Sequence, residues 1–100
     1  MKIDAAKYVD RGFPPDEGKR LADALMASAG VPWDGLEIDV TGLPPVMLIS
    51  AFFNGFLQAI HEKRADLLDK ARAVRWTMQF PFQTEHVHRW MTNFKPHAYA

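Results

Sequence analysis

Apolar residues recur at helical spacing in the first third of the chain and predict a helix over about residues 14–29. The residues on this face are Leu21, Ala22, Leu25, Met26 and Ala29. Pro14 and Pro15 suit the first helical turn, where the missing N–H of proline is no loss. Gly30 and Pro32 follow the last of these residues, as expected beyond the end of a helix.

A second helix is predicted over residues 47–63, and its apolar surface is unusually wide. Only a narrow polar stripe interrupts that surface, formed by Ser50, Asn54, Gln58 and Glu62. We therefore expect the helix to be buried on most sides, by the sheet and by neighbouring helices or another subunit. Ala51, Gly55 and Ala59 fall four apart and would allow close backbone approach. A last helix is predicted from an N-cap at Thr84 to about Asn93.

Alternating apolar and polar residues predict strands over residues 36–41 and 74–80. Residues 2–9 alternate weakly and predict an edge strand or a loose arm, whereas residues 94–100 predict a frayed tail. Strands alternating with helices indicate an α/β fold, with a small, mostly parallel or mixed sheet of about four strands and helices packed on it. We expect one domain over residues 1–100.

The amino-acid composition of the chain limits the classes of function that we expect. Apolar residues make up 48% and charged residues 24% of the chain, values typical of globular proteins. The 12 basic and 12 acidic residues cancel, so we expect no nucleic-acid partner. The chain has no cysteine, and its start lacks the apolar segment of a secretory leader. The longest largely apolar stretch is too short to span a bilayer, so we expect a cytoplasmic protein without a membrane partner.

Two short runs resemble the centre of STAS-like domains, relatives of the anti-sigma factor antagonists. The runs are residues 37–43 (EIDVTGL) and residues 49–57 (ISAFFNGFL), which are similar to a strand ending in Asp-x-Ser/Thr-Gly and a helix opening with serine. The resemblance covers about residues 10–92 and implies a STAS-like fold and a regulatory interaction with another protein. The chain departs from the pattern in its Pro44-Pro45 linker and in carrying isoleucine, not aspartate, before Ser50.

Ser50, Asp39 and Thr41 are the candidate site residues, and each has two interpretations. At a helix start, Ser50 is well placed to carry a phosphate or contact an anion, or it is an ordinary helix-capping or polar-stripe serine. Asp39 and Thr41 end a central strand, where open α/β sheets form ligand crevices. They are otherwise explained by strand alternation and turn chemistry. With Asn54, these residues make up the predicted regulatory region for a partner.

No enzyme motif is present, and we predict neither catalytic residues nor a cofactor. His86 and His88 lie two apart, so on a helix they point in opposite directions and are not expected to share a metal ion. The first hypothesis is therefore a non-enzymatic regulatory domain that binds a protein. The alternatives are a nucleotide- or small-anion-binding accessory domain that uses Arg11, and a structural homo-oligomerisation module. The wide apolar surface of residues 47–63 suggests a homodimer or an obligate partner.

Overall fold

Three short parallel strands form the sheet in the computed structural model, which describes residues 2–10, 12–28 and 30–96, without the side chain of Pro81. The strands are β1 (Lys2–Asp4), β2 (Glu37–Asp39) and β3 (Arg75–Thr77), in the order β1-β2-β3. In register, Ile3 lies beside Ile38 and Ile38 beside Trp76. The predicted α/β class and parallel sheet are confirmed, but the described residues contain no fourth strand.

Four α-helices occur in the described part of the chain: α1 (Pro14–Ala27), α2 (Ser50–Lys63), α3 (Leu68–Arg72) and α4 (Pro81–Asn93). Short 3-10 turns precede or follow them, at Ala5–Lys7, Pro45–Met47 and Ala65–Leu67. Right-handed crossovers between parallel strands in the order 1-2-3 bring successive helices to the same face of the sheet. Accordingly, α1 packs along α2, while α4 contacts α2 and β3. No described helix is long and apolar enough to cross a membrane.

The two faces of the sheet differ sharply. Ile3, Ile38 and Trp76 are buried under the helices. The opposite face is polar and is lined by Lys2, Asp4, Glu37, Asp39, Arg75 and Thr77. Long ion pairs cross it, from Lys2 Nζ to Asp39 Oδ2 at 3.9 Å and from Arg75 to Glu37 at 3.7 Å. The described chain therefore forms a two-layer fold with one polar sheet face.

Two glycines allow α1 and α2 to approach closely. A Cβ at Gly18 would collide with the carbonyl oxygen of Phe52, and one at Gly55 would collide with the carbonyl oxygen of Pro15. The spacing of small residues had indicated close approach at Gly55, and the structure confirms it. Gly18 lies on the partner helix and was not recognised, because a single glycine gives no pattern.

The wide apolar surface of α2 is covered within the chain. Its large residues are fully buried, namely Phe52, Phe53, Phe56, Leu57 and Ile60. The rings of Phe53 and Phe56 pack edge-on against Trp76, at centroid distances of 4.9 and 5.2 Å. Of the two kinds of burial expected for this surface, the described fold supplies burial by the sheet and by neighbouring helices, because α1, α4 and the sheet cover these residues. A homodimer stays a prediction.

Several predicted boundaries shift. The last helix begins at Pro81 rather than after Thr84, because proline is well accommodated at the first helical position. Helix α1 ends at Ala27, and Ala29 lies outside the described residues. Helix α2 begins at Ser50, and Pro45–Met47 form a separate turn.

The predicted frayed tail is packed where it begins. Phe94 is buried, and the guanidinium carbon of Arg72 lies 5.6 Å from the centroid of its ring. Arg72 also donates hydrogen bonds to the carbonyl oxygens of Met91 and Thr92, at 3.1 and 3.0 Å. One arginine thus satisfies acceptors at the C-terminus of α4 and holds the first residue beyond it.

Candidate functional site

The large apolar side chains that remain exposed gather in one part of the fold. Among the described residues these are Tyr8, Phe13, Val46, Ile49, Phe80 and Phe82, with 37–76% of each accessible. All six lie in the connections that follow β1, β2 and β3 or in the first turn of the next helix. Such connections meet at the carboxyl edge of a parallel sheet, where α/β proteins commonly bind ligands. We call these six residues the carboxyl rim.

Three rim residues occupy helix N-caps. Phe13, Ile49 and Phe80 cap α1, α2 and α4, and none makes a side-chain capping hydrogen bond. Serine, threonine, aspartate or asparagine at an N-cap typically adds about 1 kcal/mol of stability over an apolar residue. Helix stability therefore does not account for exposed apolar residues at all three positions.

A small hollow lies beside the rim. It measures about 270 Å³ and is lined by Leu48, Met78, Phe82, Gln83, His86, Val87 and Trp90. Leu48 belongs to the connection after β2, whereas Met78 and Phe82 belong to the connection after β3 and the start of α4. The hollow therefore joins two of the three connections. Phe80 stacks on Phe82 at a centroid distance of 5.9 Å, which fixes the two exposed rings relative to each other.

Asp39 and Thr41 lie together at the end of the central strand. Asp39 Oδ1 accepts hydrogen bonds from the backbone N–H of Thr41 at 2.8 Å and from its hydroxyl at 2.6 Å. These bonds, helped by the nearby charge of Lys2, hold the pKa of the Asp39 carboxyl below its ordinary value. Asp4 is the register partner of Asp39, so two carboxylates end adjacent strands at this edge. These hydrogen bonds support the interpretation of Asp39 and Thr41 as residues that stabilise a turn.

Ser50 and Asn54 lie on the helical layer, on the other side of the sheet from the Asp39 side chain. Ser50 is the exposed first residue of α2, and Ile49 rather than Ser50 is its N-cap. The helix-start position is confirmed, whereas the capping interpretation is wrong because the cap is one residue earlier. Both side chains line a groove of about 570 Å³ between α2 and the end of α4. Within the described chain, no hydrogen bond or ion pair joins them to Asp39 or Thr41.

The remaining predicted residues fall elsewhere. Arg11 lies outside the described residues. His86 and His88 are exposed, and the ring of His86 lies 6.2 Å from that of Trp90. The described residues hold no cluster of three or more histidine or acidic side chains suited to a metal ion.

Sequence reasoning missed Glu17, a buried carboxylate on α1. Its Oε2 accepts a hydrogen bond from the backbone N–H of Asp10 at 2.8 Å, and Arg20 lies 3.5 Å from its other oxygen. A Cβ at Gly12 would also press on this carboxylate, so the loop closes tightly over it. Glu17 therefore anchors the loop that presents Phe13. An acidic residue in a first helical turn gives no sequence signal that it is buried.

Comparison with protein-family models, with curated proteins and with solved structures found no match. The resemblance to STAS-like domains therefore stays a prediction that rests on residues 37–43 and 49–57.

Proposed function

We propose that this protein is a non-enzymatic regulatory domain that binds a protein partner through its carboxyl rim. The observation that carries the proposal is that the six large apolar side chains exposed among the described residues all lie in the strand-to-helix connections or in the first turn of the next helix. Exposed apolar patches often mark an interaction site, and the contact between Phe80 and Phe82 makes part of this rim continuous. The STAS-like resemblance points to the same class of function.

The small hollow beside the carboxyl rim suits a partner that inserts an apolar side chain into it. Binding energy at protein interfaces concentrates in aromatic and apolar groups that fill pockets, surrounded by more polar contacts. Here the small hollow is the pocket; Phe82 lines it, and Phe80 stacks on Phe82. Asp39 and Thr41 supply polar groups at the same end of the sheet.

We further propose that Ser50 is the point of regulation. It is exposed and follows the rim residue Ile49 directly. Phosphorylation adds nearly two negative charges, which the N-terminus of a long helix tolerates well. Because the new charges would sit beside an apolar contact, a phosphate at Ser50 would weaken docking of an apolar partner.

The test compares three proteins in affinity capture from cells that contain the natural partners. They are the wild type, a rim variant with Phe13, Phe80 and Phe82 changed to serine, and a control with the exposed Ala27 and Ala65 changed to serine. We expect a protein that the wild type and the control retain, that the rim variant loses, and that binds directly when purified. Identical capture by all three folded proteins would refute the rim as the docking site.

The small-anion hypothesis gains no support from this edge of the sheet. The carboxylates of Asp4 and Asp39 end adjacent strands there and would repel a phosphate. A thermal-shift experiment with ATP and with inorganic phosphate separates the hypotheses, because only a ligand that binds the folded state raises the melting temperature. Self-association through the rim would instead make the melting temperature depend on protein concentration.

A further inference from the structure

The outer edge of β3 carries free backbone hydrogen-bonding groups. On the inner side, Arg75 N–H donates to the carbonyl oxygen of Leu36 at 3.0 Å, and the carbonyl of Thr77 accepts from Val40 N–H at 3.1 Å. Neighbouring residues of a strand direct their backbone groups to opposite sides. The N–H and C=O of Trp76 therefore point away from β2, to a side where the described chain has no further strand.

Helix α4 overhangs this edge and leaves a groove between itself and β3. The groove measures about 940 Å³; Ala73, Val74 and Trp76 line it on the strand side, and Val87, His88 and Met91 on the helix side. We call it the edge groove. The indole Nε1 of Trp76 is buried and has no hydrogen-bond partner. Because a neighbouring strand lies about 4.8 Å away, the edge groove occupies the position of the next strand.

The charges around the edge groove are predominantly positive. Arg72, Arg75 and Arg89 line it, against the lining carboxylate of Glu85. Arg75 also lies 3.7 Å from Glu37, and Arg72 donates hydrogen bonds to the carbonyl oxygens at the end of α4. A second copy of the chain would bring this patch against itself across a two-fold axis, so arginines would face arginines. An acidic segment would instead meet a surface with an excess of positive charge.

We propose that the edge groove binds an extended, acidic peptide segment of a partner protein, which adds to β3 as a fourth parallel or antiparallel strand. Strand addition to a free sheet edge obtains affinity from backbone hydrogen bonds and specificity from alternate side chains. The backbone groups of Trp76 pair with the added strand. Its apolar side chains lie toward the helix layer, where Val87 and Met91 expose only 2% and 1% of their surface. Its carboxylates lie near Arg75 and Arg89.

The edge groove shares none of the six residues of the carboxyl rim, although Val87 lines both the edge groove and the small hollow beside the rim. Neither proposal depends on the other. If the rim variant no longer captures a partner, it should still bind the acidic peptide at β3. If the peptide does not bind at β3, partner capture through the rim is not contradicted. The two proposals therefore fail separately.

The experiment is a titration of the isotopically labelled protein, followed by nuclear magnetic resonance, with a short peptide of alternating valine and glutamate. We expect saturable shifts at the backbone and indole N–H groups of Trp76, with slower exchange of the backbone amide. Changing Arg89→Glu should weaken binding by about tenfold or more, whereas Lys19→Glu on α1 should leave it unchanged. Arg89 is exposed on α4, so its replacement leaves the core intact.

Two matched peptides identify the contact. A peptide of alternating valine and lysine tests the charge, and an acidic peptide N-methylated on alternate backbone nitrogens tests the strand pairing. Both should bind at least about tenfold more weakly than the acidic peptide. Equal binding by either, or no shift at Trp76 with the acidic peptide, would overturn the proposal. A slowly exchanging Trp76 amide in the free protein, together with a dimeric mass, would show that a second copy already covers the edge and would also overturn it.

Discussion

Two groups of phenylalanines in this chain have opposite environments. Phe52, Phe53 and Phe56 lie in the middle of α2 and are fully buried. Phe13, Phe80 and Phe82 lie at helix starts and are 69%, 45% and 65% exposed. The residue type is the same, so the position within the strand–connection–helix unit decides the environment. The middle of a crossover helix faces the sheet and other helices, whereas its first turn faces the solvent at the carboxyl edge.

This difference separates residues that stabilise the fold from residues available for function. The buried group packs against Trp76, Trp90 and the α1 helix. The exposed group takes N-cap or first-turn positions, where a polar residue would serve the helix better. Sites that break a local stability rule without structural compensation are expected to be functional.

The largest effect is expected from Phe53→Ala. The ring of Phe53 contacts Phe52, Trp76 and Trp90, so its loss leaves a cavity at the centre of the core. We expect the free energy of unfolding to fall by about 4 kcal/mol in a urea titration. The matched change Phe13→Ala on the rim should alter it by less than about 0.5 kcal/mol. Similar losses in the two variants would show that the two groups do not differ.

A smaller loss is expected from Gly18→Ala, which tests the contact that supports the buried group. Alanine in an exposed helix would add about 1 kcal/mol of stability over glycine. Here the methyl group would collide with the carbonyl oxygen of Phe52, so we expect a net loss of about 2 kcal/mol as the helices separate. The neighbouring change Lys19→Ala is the control. A stabilised Gly18→Ala variant would disprove the close contact between α1 and α2.

The next largest loss of stability is expected from Arg72→Met, which replaces the arginine by an apolar side chain of similar length. The variant loses two hydrogen bonds to the C-terminal carbonyls of α4 and the charge over the ring of Phe94. We expect a loss of about 1–2 kcal/mol in thermal or urea unfolding. Arg72→Lys should recover part of it. An unchanged variant would mean that packing alone holds Phe94.

Much of the fold could be predicted from the sequence, because its buried elements carry regular periods. The alternation over residues 36–41 and the apolar faces of α1 and α2 correspond to observed elements. The start of α4 could not be located in this way, because Pro81 ends a strand pattern and begins a helix equally well. The buried Glu17 and the contact of Gly18 depend on partners distant in sequence, which no local pattern reports.

The candidate site was harder to predict than the fold. Asp39, Thr41 and Ser50 were chosen for their chemistry, and the structure places them on two sides of the sheet. The carboxyl rim was missed because its members are scattered through the chain. A local signal was nevertheless present, since Phe13 and Phe80 each directly precede a proline that begins a helix. Large apolar residues at predicted N-caps are a usable marker of such an edge.

Asp39→Asn is expected to remove a contribution to stability that depends on pH. The folded-state pKa of Asp39 is lowered, so its ionised form contributes stability above the unfolded value of about 3.9. That contribution is lost as the pH falls through the folded-state pKa. We expect a shallower decline of stability in Asp39→Asn than in the wild type below about pH 4, measured by thermal unfolding. Superimposable curves would show that the bonds to Thr41 are absent in solution.

The smallest effect on stability is expected from Phe82→Ala, and this is why the variant is informative. Phe82 contacts Phe80 and borders the small hollow, but most of its ring faces solvent. Removing it should change the free energy of unfolding by less than about 0.5 kcal/mol. Partner binding should weaken by about tenfold or more, as expected when an aromatic anchor is truncated. If the same change costs about 2 kcal/mol of stability, Phe82 belongs to the buried group and the division between core and rim is wrong at that residue.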